Sequence, residues 1–463
     1  MDKSKKLPEL GENKMKTMPT GRLLISMAVP LIMSMLVQAL YNIVDSIYVS
    51  HYDPDSAVAA LSLAFPVQNM QIGFATGIAV GVNALLSKSL GEGDREKASH
   101  AAGTGITLAL CATALFMVFG IFFARPYYTM QSSVEATIEG GSTYVAICCI
   151  AGLGIFVAIL GERLLQATGR TVYTMITQSS GAIVNIILDP IFIFGGFGIP
   201  EMGLAGAAVA TVIGQWVSAL LAVFFNLKFN PEISFGLKYL RPNRKILQPI
   251  FGVGIPSVIM MAIGSVMNFG MNQIFQSFRS YGETATSVFG IYYKLQSFFF
   301  MPVFGLNNAT ISIVAFNYGA RQPKRIISTL KIGVCTAMGF MVAGLLAFML
   351  IPELLLGIFN PTEEFLKLGI PALRIIGLHF PLAAVGIGLG SSFQALGNGI
   401  YSTITSLCRQ LIVLLPAAWL LSLSGVVDYV WWAFPIAEVV SLTVTLILFT
   451  RIYRRQIKPL FES

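Results

Sequence analysis

The chain has 463 residues, of which 55% are hydrophobic and only 11% charged, with a formal net charge of +8. A soluble domain carries roughly 25% charged residues, so this composition excludes a water-soluble protein of such length. The bilayer is the matching solvent, and nucleic acid is not the expected partner of the basic excess.

Residues 1–22 read as a polar, basic tail with Lys3, Lys5, Lys6, Lys14, Lys16 and Arg22. They lack the apolar core and small-residue site of a cleaved signal. Crossing the hydrocarbon core takes about 20 apolar residues in a helix. Twelve such stretches follow, at approximately 23–50, 57–87, 100–123, 141–168, 172–194, 203–227, 246–277, 284–316, 327–351, 368–396, 401–423 and 430–452. The fold class expected is an all-α integral membrane protein with 12 transmembrane helices. Residues 453–463 form a second tail.

Span 1 contains "QALYNIVDSIYV". Ser34, Gln38, Tyr41 and Asp45 recur there at helical spacing on one face. That face is too polar for lipid and must look inward. Pro30 precedes it, removes a backbone hydrogen bond and supplies a bend point. An intramembrane carboxylate costs at least about 2.5–3.5 kcal/mol at the bilayer centre, which makes it a functional candidate. Span 5 carries "NIILDP", with Asn185 and Asp189 one turn apart and Pro190 following. If spans 1 and 5 face each other, Asp45, Asn185 and Asp189 form a cluster, to which Thr211 of span 6 adds a hydroxyl. Two buried carboxylates and an amide leave two options open: they hold a proton, or their oxygens coordinate a hard cation such as sodium. No other metal site is expected, and no cofactor.

The linker 228–245, "KFNPEISFGLKYLRPNRK", divides the chain into two halves of six spans, 23–227 and 246–452. The halves resemble each other. "QATGRTVYTMIT" (166–177) aligns with "QALGNGIYSTIT" (394–405), Pro30 with Pro256, Asn42 with Asn268, and "SLGEGDREKA" with "NYGARQPKRI". An even number of spans per half makes the repeats parallel, related by a pseudo-twofold axis along the membrane normal. Transporters with such repeats bind substrate between the halves and rock one against the other. The acids are not repeated: Asp45 lies opposite Met271 and Asp189 opposite Ala417.

With the N-terminus inside, all Lys and Arg residues except six fall on the inner side. Arg125, Arg279, Lys367 and Arg374 lie outside, and Lys294 and Arg409 within spans. That bias is a positive-inside signal and places both termini in the cytoplasm of a cell (inner) membrane. It also provides contact with anionic lipid headgroups. Lys294 on span 8 is a further candidate, whereas Glu162 and Arg163 read as structural, and Arg409 and Glu438 as a bundle ion pair. His51, His100 and His379 are scattered, and the five cysteines fall in apolar segments without metal-ligand spacing. No nucleophile elbow, zinc-protease motif or Walker lysine argues for an enzyme or an ATP-driven pump.

"AVPLIMSMLVQALYNIVDSIYVS", "NIILDPIFIFG", "GLAGAAVATVIGQ" and "MPVFGLNNATISIVAFNYGARQPKR" resemble the multidrug and toxic compound extrusion (MATE) family, most closely its DinF-like branch. The resemblance covers about residues 20–455. It implies two six-helix lobes around a central cavity and antiport of organic, often cationic and amphipathic, compounds against H+ or Na+. It also implies that Asp45 is the essential first-helix acid, Asn185 and Asp189 its fifth-helix partners, Tyr41 the aromatic before the acid, and Pro30 the bend. Two departures stand out. Spans 7 and 10 carry no acid, which argues for coupling in the first lobe, and Ala309 and Ser312 replace a Gly and a Pro common in relatives. Met33, Phe65, Met70, Phe298 and Met301 are candidates to line the cavity, whose soft and aromatic surfaces suit varied cations. The chain is expected to act as a monomer. The competing reading is a lipid-linked precursor flippase of the wider superfamily, which calls for a more basic cavity.

Overall fold

The computed structural model describes residues 13–52, 56–278, 281–359 and 362–462. Residues 1–12 of the tail, Arg279, and the side chain of Asn42 lie outside the described residues. The described chain is helical apart from turns and one isolated bridge, Gly196–Ile199. In lipid this is the economical solution, because a helix satisfies its own backbone groups. Among the described residues ten helices are long and apolar enough to cross a membrane, and two bent helix pairs raise the number to as many as twelve. In chain order the spans are Thr20–Tyr52, Ser56–Gly91, Arg95–Phe122, Glu135–Ile150 with Leu153–Ala167, Thr171–Phe194, Gly203–Phe229, Arg244–Gln276, Gly282–Gly319, Pro323–Leu350, Glu363–Gly377 with Phe380–Ala395, Gly399–Ser422, and Val427 onward. They are numbered 1 to 12 below. Span 1 passes unbroken through Pro30.

The repeat is written into the backbone. Span 4 bends by 48° and span 10 by 45°, at corresponding places in the two halves. Beside each break a side chain meets a backbone carbonyl, a different one in each lobe. Gln71 donates to the Cys148 carbonyl at 3.3 Å, and His379 Nδ1 lies 2.6 Å from that of Ile376. The turns after spans 4 and 10 place Gly169 at φ 81° and Gly397 at φ 79°. The turns after spans 2 and 8 do the same with Gly93 (φ 78°) and Arg321 (φ 54°), so one copy forces a side chain into the left-handed region that glycine enters freely. Asp94 in the first of these turns caps span 3 by accepting from the Lys97 amide.

The two largest hydrophobic cores among the described residues lie one in each half, and each borrows from the other. Leu23, Leu24, Met27, Ala28 and Leu31 of span 1 belong to the second-half core. Ile246 and Ile250 of span 7 belong to the first-half core. Between halves, span 1 packs on span 8, span 7 on span 2, and span 2 on span 8, the set a twofold axis generates.

Much of this contact gathers at the end where spans 1 and 7 begin and spans 2 and 8 finish. A Cβ on Gly91 would overlap the carbonyl oxygen of Phe316, and one on Gly319 that of Lys88. Gly77 meets Val258 and Gly254, and Gly305 meets Ile32. Ser312 Oγ donates to Asn83 Oδ1 of span 2 at 3.1 Å. The short helix Lys14–Thr17 ties both halves from below. Asn13 donates to Glu232, which also receives Arg170 at 3.1 Å, and Arg325 donates to the carbonyls of Met15 and Met18 at 2.8 and 2.7 Å. Burial and the nearby Arg170 guanidinium push the Lys14 ammonium below its usual pKa, with Glu232 opposing. The linker packs on span 3, where Thr107 donates to the Leu240 carbonyl and Ser99 accepts from the Ser234 amide. Beyond span 12 the expected tail continues as helical turns, Tyr453–Ile457 and Lys458–Phe461.

Candidate functional site

Spans 1 and 5 pack against each other, and span 5 packs closely on span 6. Gly181 and Gly214 make the second approach tight, since a Cβ on either would crowd the backbone of the other helix. This brings Asn185 and Asp189 of span 5 against Thr211 of span 6. Asn185 Nδ2 donates to Asp189 Oδ1 and to Thr211 Oγ1, both at 3.3 Å. The carboxyl of Asp45 lies within hydrogen-bonding reach of that of Asp189. The Tyr41 hydroxyl sits against Thr211, one turn before Asp45. Asp45, Asp189, Asn185, Tyr41 and Thr211 therefore form one cluster in the first lobe.

Asp189 is 0% exposed and Asn185 3%. One buried oxygen of each of Asp45, Asp189 and Asn185 (Oδ1, Oδ2 and Oδ1 respectively) finds no hydrogen-bond donor among the described residues. Buried acceptors are normally satisfied. These three oxygens, two of them on the facing carboxyl groups of Asp45 and Asp189, are short of donors. No group of three His, Cys, Asp or Glu side chains converges among the described residues.

The other acid of this lobe shows the contrast. Glu162 is buried, but its carboxylate accepts from Gln178 at 2.7 Å and Thr177 at 3.2 Å, and its neighbour Arg163 donates to Gln166 at 3.0 Å.

The remaining candidates separate. Ser34 is buried and bonds the Leu31 carbonyl, while Gln38 on the same stripe is exposed. Met33, Phe65, Met70 and Phe298 are 48%, 61%, 59% and 50% exposed. Met301 lines a cavity in the second lobe, and neither Lys294 nor Phe298 is among its lining residues. Sequence reasoning missed Tyr144 and Gln68, which bond each other at 2.9 Å beside Cys148, behind Asp45 and Tyr41. Gln68 is a polar residue inside span 2, and that was a signal available in the sequence.

The family model described as MatE matches residues 30–191 and again 256–420, once in each half. The multidrug export protein MepA of Staphylococcus haemolyticus (strain JCSC1435) is 23% identical over 413 residues, covering 89% of both chains. MepA of Staphylococcus aureus (strain bovine RF122 / ET3-1) is 22% identical over 420 residues, covering 91% of both. Among solved structures, the outward-facing conformation of a multidrug resistance MATE family transporter of the MOP superfamily superposes with a TM-score of 0.90 at 24% identity. That alignment covers 98% of this chain and 100% of the other. The fold and the two matches of the family model agree, and the chain belongs to the MATE family: it is a multi-pass membrane transporter.

Proposed function

We propose that this transporter exports organic, cationic and amphipathic compounds across the cell membrane in exchange for H+ or Na+, with coupling at Asp45 and Asp189. The observation that carries the reading is the contact of two carboxyl groups from different spans, both with an oxygen that lacks a donor. Neighbouring buried carboxylates repel unless a proton or cation sits between them. Loading the pair therefore draws span 1 toward span 5, and unloading drives them apart.

Span 1 is the element able to transmit this. Its first half is seated in the second-lobe core and its later part carries Asp45, with Pro30 between the two. A change at Asp45 bends the helix at Pro30 and alters the space beside Met33, Phe65 and Met70, where substrate is held. Ion and substrate thus exclude each other. The lobes are held together at the end bearing Gly91 and Gly319, which the distribution of basic residues assigns to the cytoplasm. The substrate path in this state opens to the opposite side. Lysines and arginines at the inner ends contact anionic lipid headgroups, and a single chain contains the full transport unit.

The driving force depends on the stoichiometry of the exchange. One elementary charge moving through 100 mV is worth about 2.3 kcal/mol. A one-for-one exchange of monovalent cations moves no net charge and draws on the ion's concentration gradient alone.

The test is reconstitution in liposomes with tetraphenylphosphonium as the transported cation, under a proton gradient and, separately, a sodium gradient. One gradient is expected to drive movement, and Asp45→Asn to abolish it. Full gradient-driven movement by correctly inserted Asp45→Asn protein would overturn the coupling site.

A further inference from the structure

The second lobe lacks the acid pair and has a different polar centre. Spans 7, 8, 10, 11 and 12 enclose a cavity of about 300 Å³, at the small end of the range for organic ligands. Tyr292, Tyr293, Phe300, Phe304 and Phe434 give it an aromatic side, and the rest of its wall mixes aliphatic and polar groups. Arg409 and Glu438 line it together.

Three observations set this pair apart from a plain bundle ion pair. Its Nη1–Oε2 separation is 3.8 Å, well beyond the roughly 2.7–2.9 Å of a good charge-assisted bond. The Arg409 side chain is 31% exposed, whereas Glu438 is 5% exposed. Finally, Arg409 stands in the π-helical stretch Cys408–Leu414, while the corresponding stretch of span 5 lies within the regular helix Thr171–Phe194. A π turn is rarer than α and recurs at functional sites. Beside the pair, Gln296 Oε1 is buried and has no donor among the described residues.

We propose that this cavity is a second binding site, for small aromatic zwitterions. The ligand carboxylate takes the planar donor fork of Arg409. Its ammonium takes Glu438 and the Gln296 oxygen, and its ring lies against the aromatic side. The argument for a zwitterion is electrostatic. An anion on Arg409 alone strands the Glu438 carboxylate, and a cation on Glu438 alone strands the guanidinium. Leaving one partner of a buried pair uncompensated is costly. A ligand carrying both poles replaces each lost contact and brings no net charge into the lobe. This site is independent of the acid cluster of the first lobe.

Tryptophan, tryptamine and indole-3-propionate share a ring system and differ in their charged groups. Equilibrium binding of the three radiolabelled compounds to the full chain in nanodiscs, corrected for protein-free discs, tests the proposal. Tryptophan is expected to bind roughly ten- to hundredfold more tightly than either partner, as charged hydrogen bonds gained at a second pole imply. Arg409→Gln should weaken tryptophan and indole-3-propionate but not tryptamine, and Glu438→Gln should weaken tryptophan and tryptamine. The wild-type ranking stands as a test even if a variant fails to fold. Tryptamine or indole-3-propionate binding as tightly as tryptophan, or no saturable binding of any of the three, overturns the proposal.

Discussion

Spans 5 and 11 are the same element in two copies and carry different polar chemistry. Span 5 is a regular helix with a proline inside it, and its Asn185 and Asp189 meet Asp45 and Thr211. Span 11 breaks into a π turn and presents a cation, Arg409, toward Glu438. The backbone around them is held in common, down to the left-handed turns after spans 4 and 10 and the matched bends before them. Duplication has kept the parts that place one lobe against the other and freed the polar interior of each lobe to diverge. Packing at a twofold interface binds both copies to one geometry, whereas a buried polar cluster needs only to satisfy itself.

The largest expected effects lie where the lobes differ. Asp45→Asn and Asp189→Asn should each reduce gradient-driven cation efflux by on the order of a hundredfold or more, and the double substitution should lose no more than either alone, because groups acting as a unit are not additive. Efflux assays on all three variants beside the wild type check this, and additive losses would mean two separate roles.

Next come the contacts the lobes share. Gly91→Ala and Gly319→Ala each drive a methyl group into a carbonyl of the opposite lobe. Each should destabilise the closed inner end by about 1–3 kcal/mol, the usual range for overpacking. Thermal unfolding and the accessibility of a cysteine introduced at the inner end report the change, and clearly unequal effects would break the twofold description.

A smaller effect tests the one turn where sequence and backbone disagree between copies. Arg321→Gly should stabilise the chain by up to about 1 kcal/mol, because it removes a side chain from a left-handed conformation. Gly93→Ala should cost a similar amount, and the pair is read by denaturation midpoints. Ser312→Ala removes the bond to Asn83 and should cost about 1 kcal/mol, without the backbone break that a proline there introduces.

The sequence carried much of this. Hydropathy placed the spans, because lipid demands long apolar helices. The spacing of Tyr41 with Asp45 and of Asn185 with Asp189 placed the acids on facing stripes. Three things were not legible. The bends in spans 4 and 10 have no local pattern to announce them, and at the first Gln71 reaches the Cys148 carbonyl from span 2, a tertiary contact. The crossing of spans 1 and 7 into each other's cores is invisible because both segments are uniformly apolar. Gln38 shares the helical stripe of Asp45 yet stays exposed, since periodicity fixes a face and not what packs against it.

The most direct test of the coupling account is displacement in the purified protein. Tetraphenylphosphonium is added to wild-type and Asp45→Asn protein in weakly buffered detergent solution, with proton release and displacement of bound radioactive sodium followed in parallel. The account predicts that substrate expels one of the two ions from the wild type and neither from Asp45→Asn. Equal release from both proteins would contradict it and place the coupling ion away from the first-lobe aspartates.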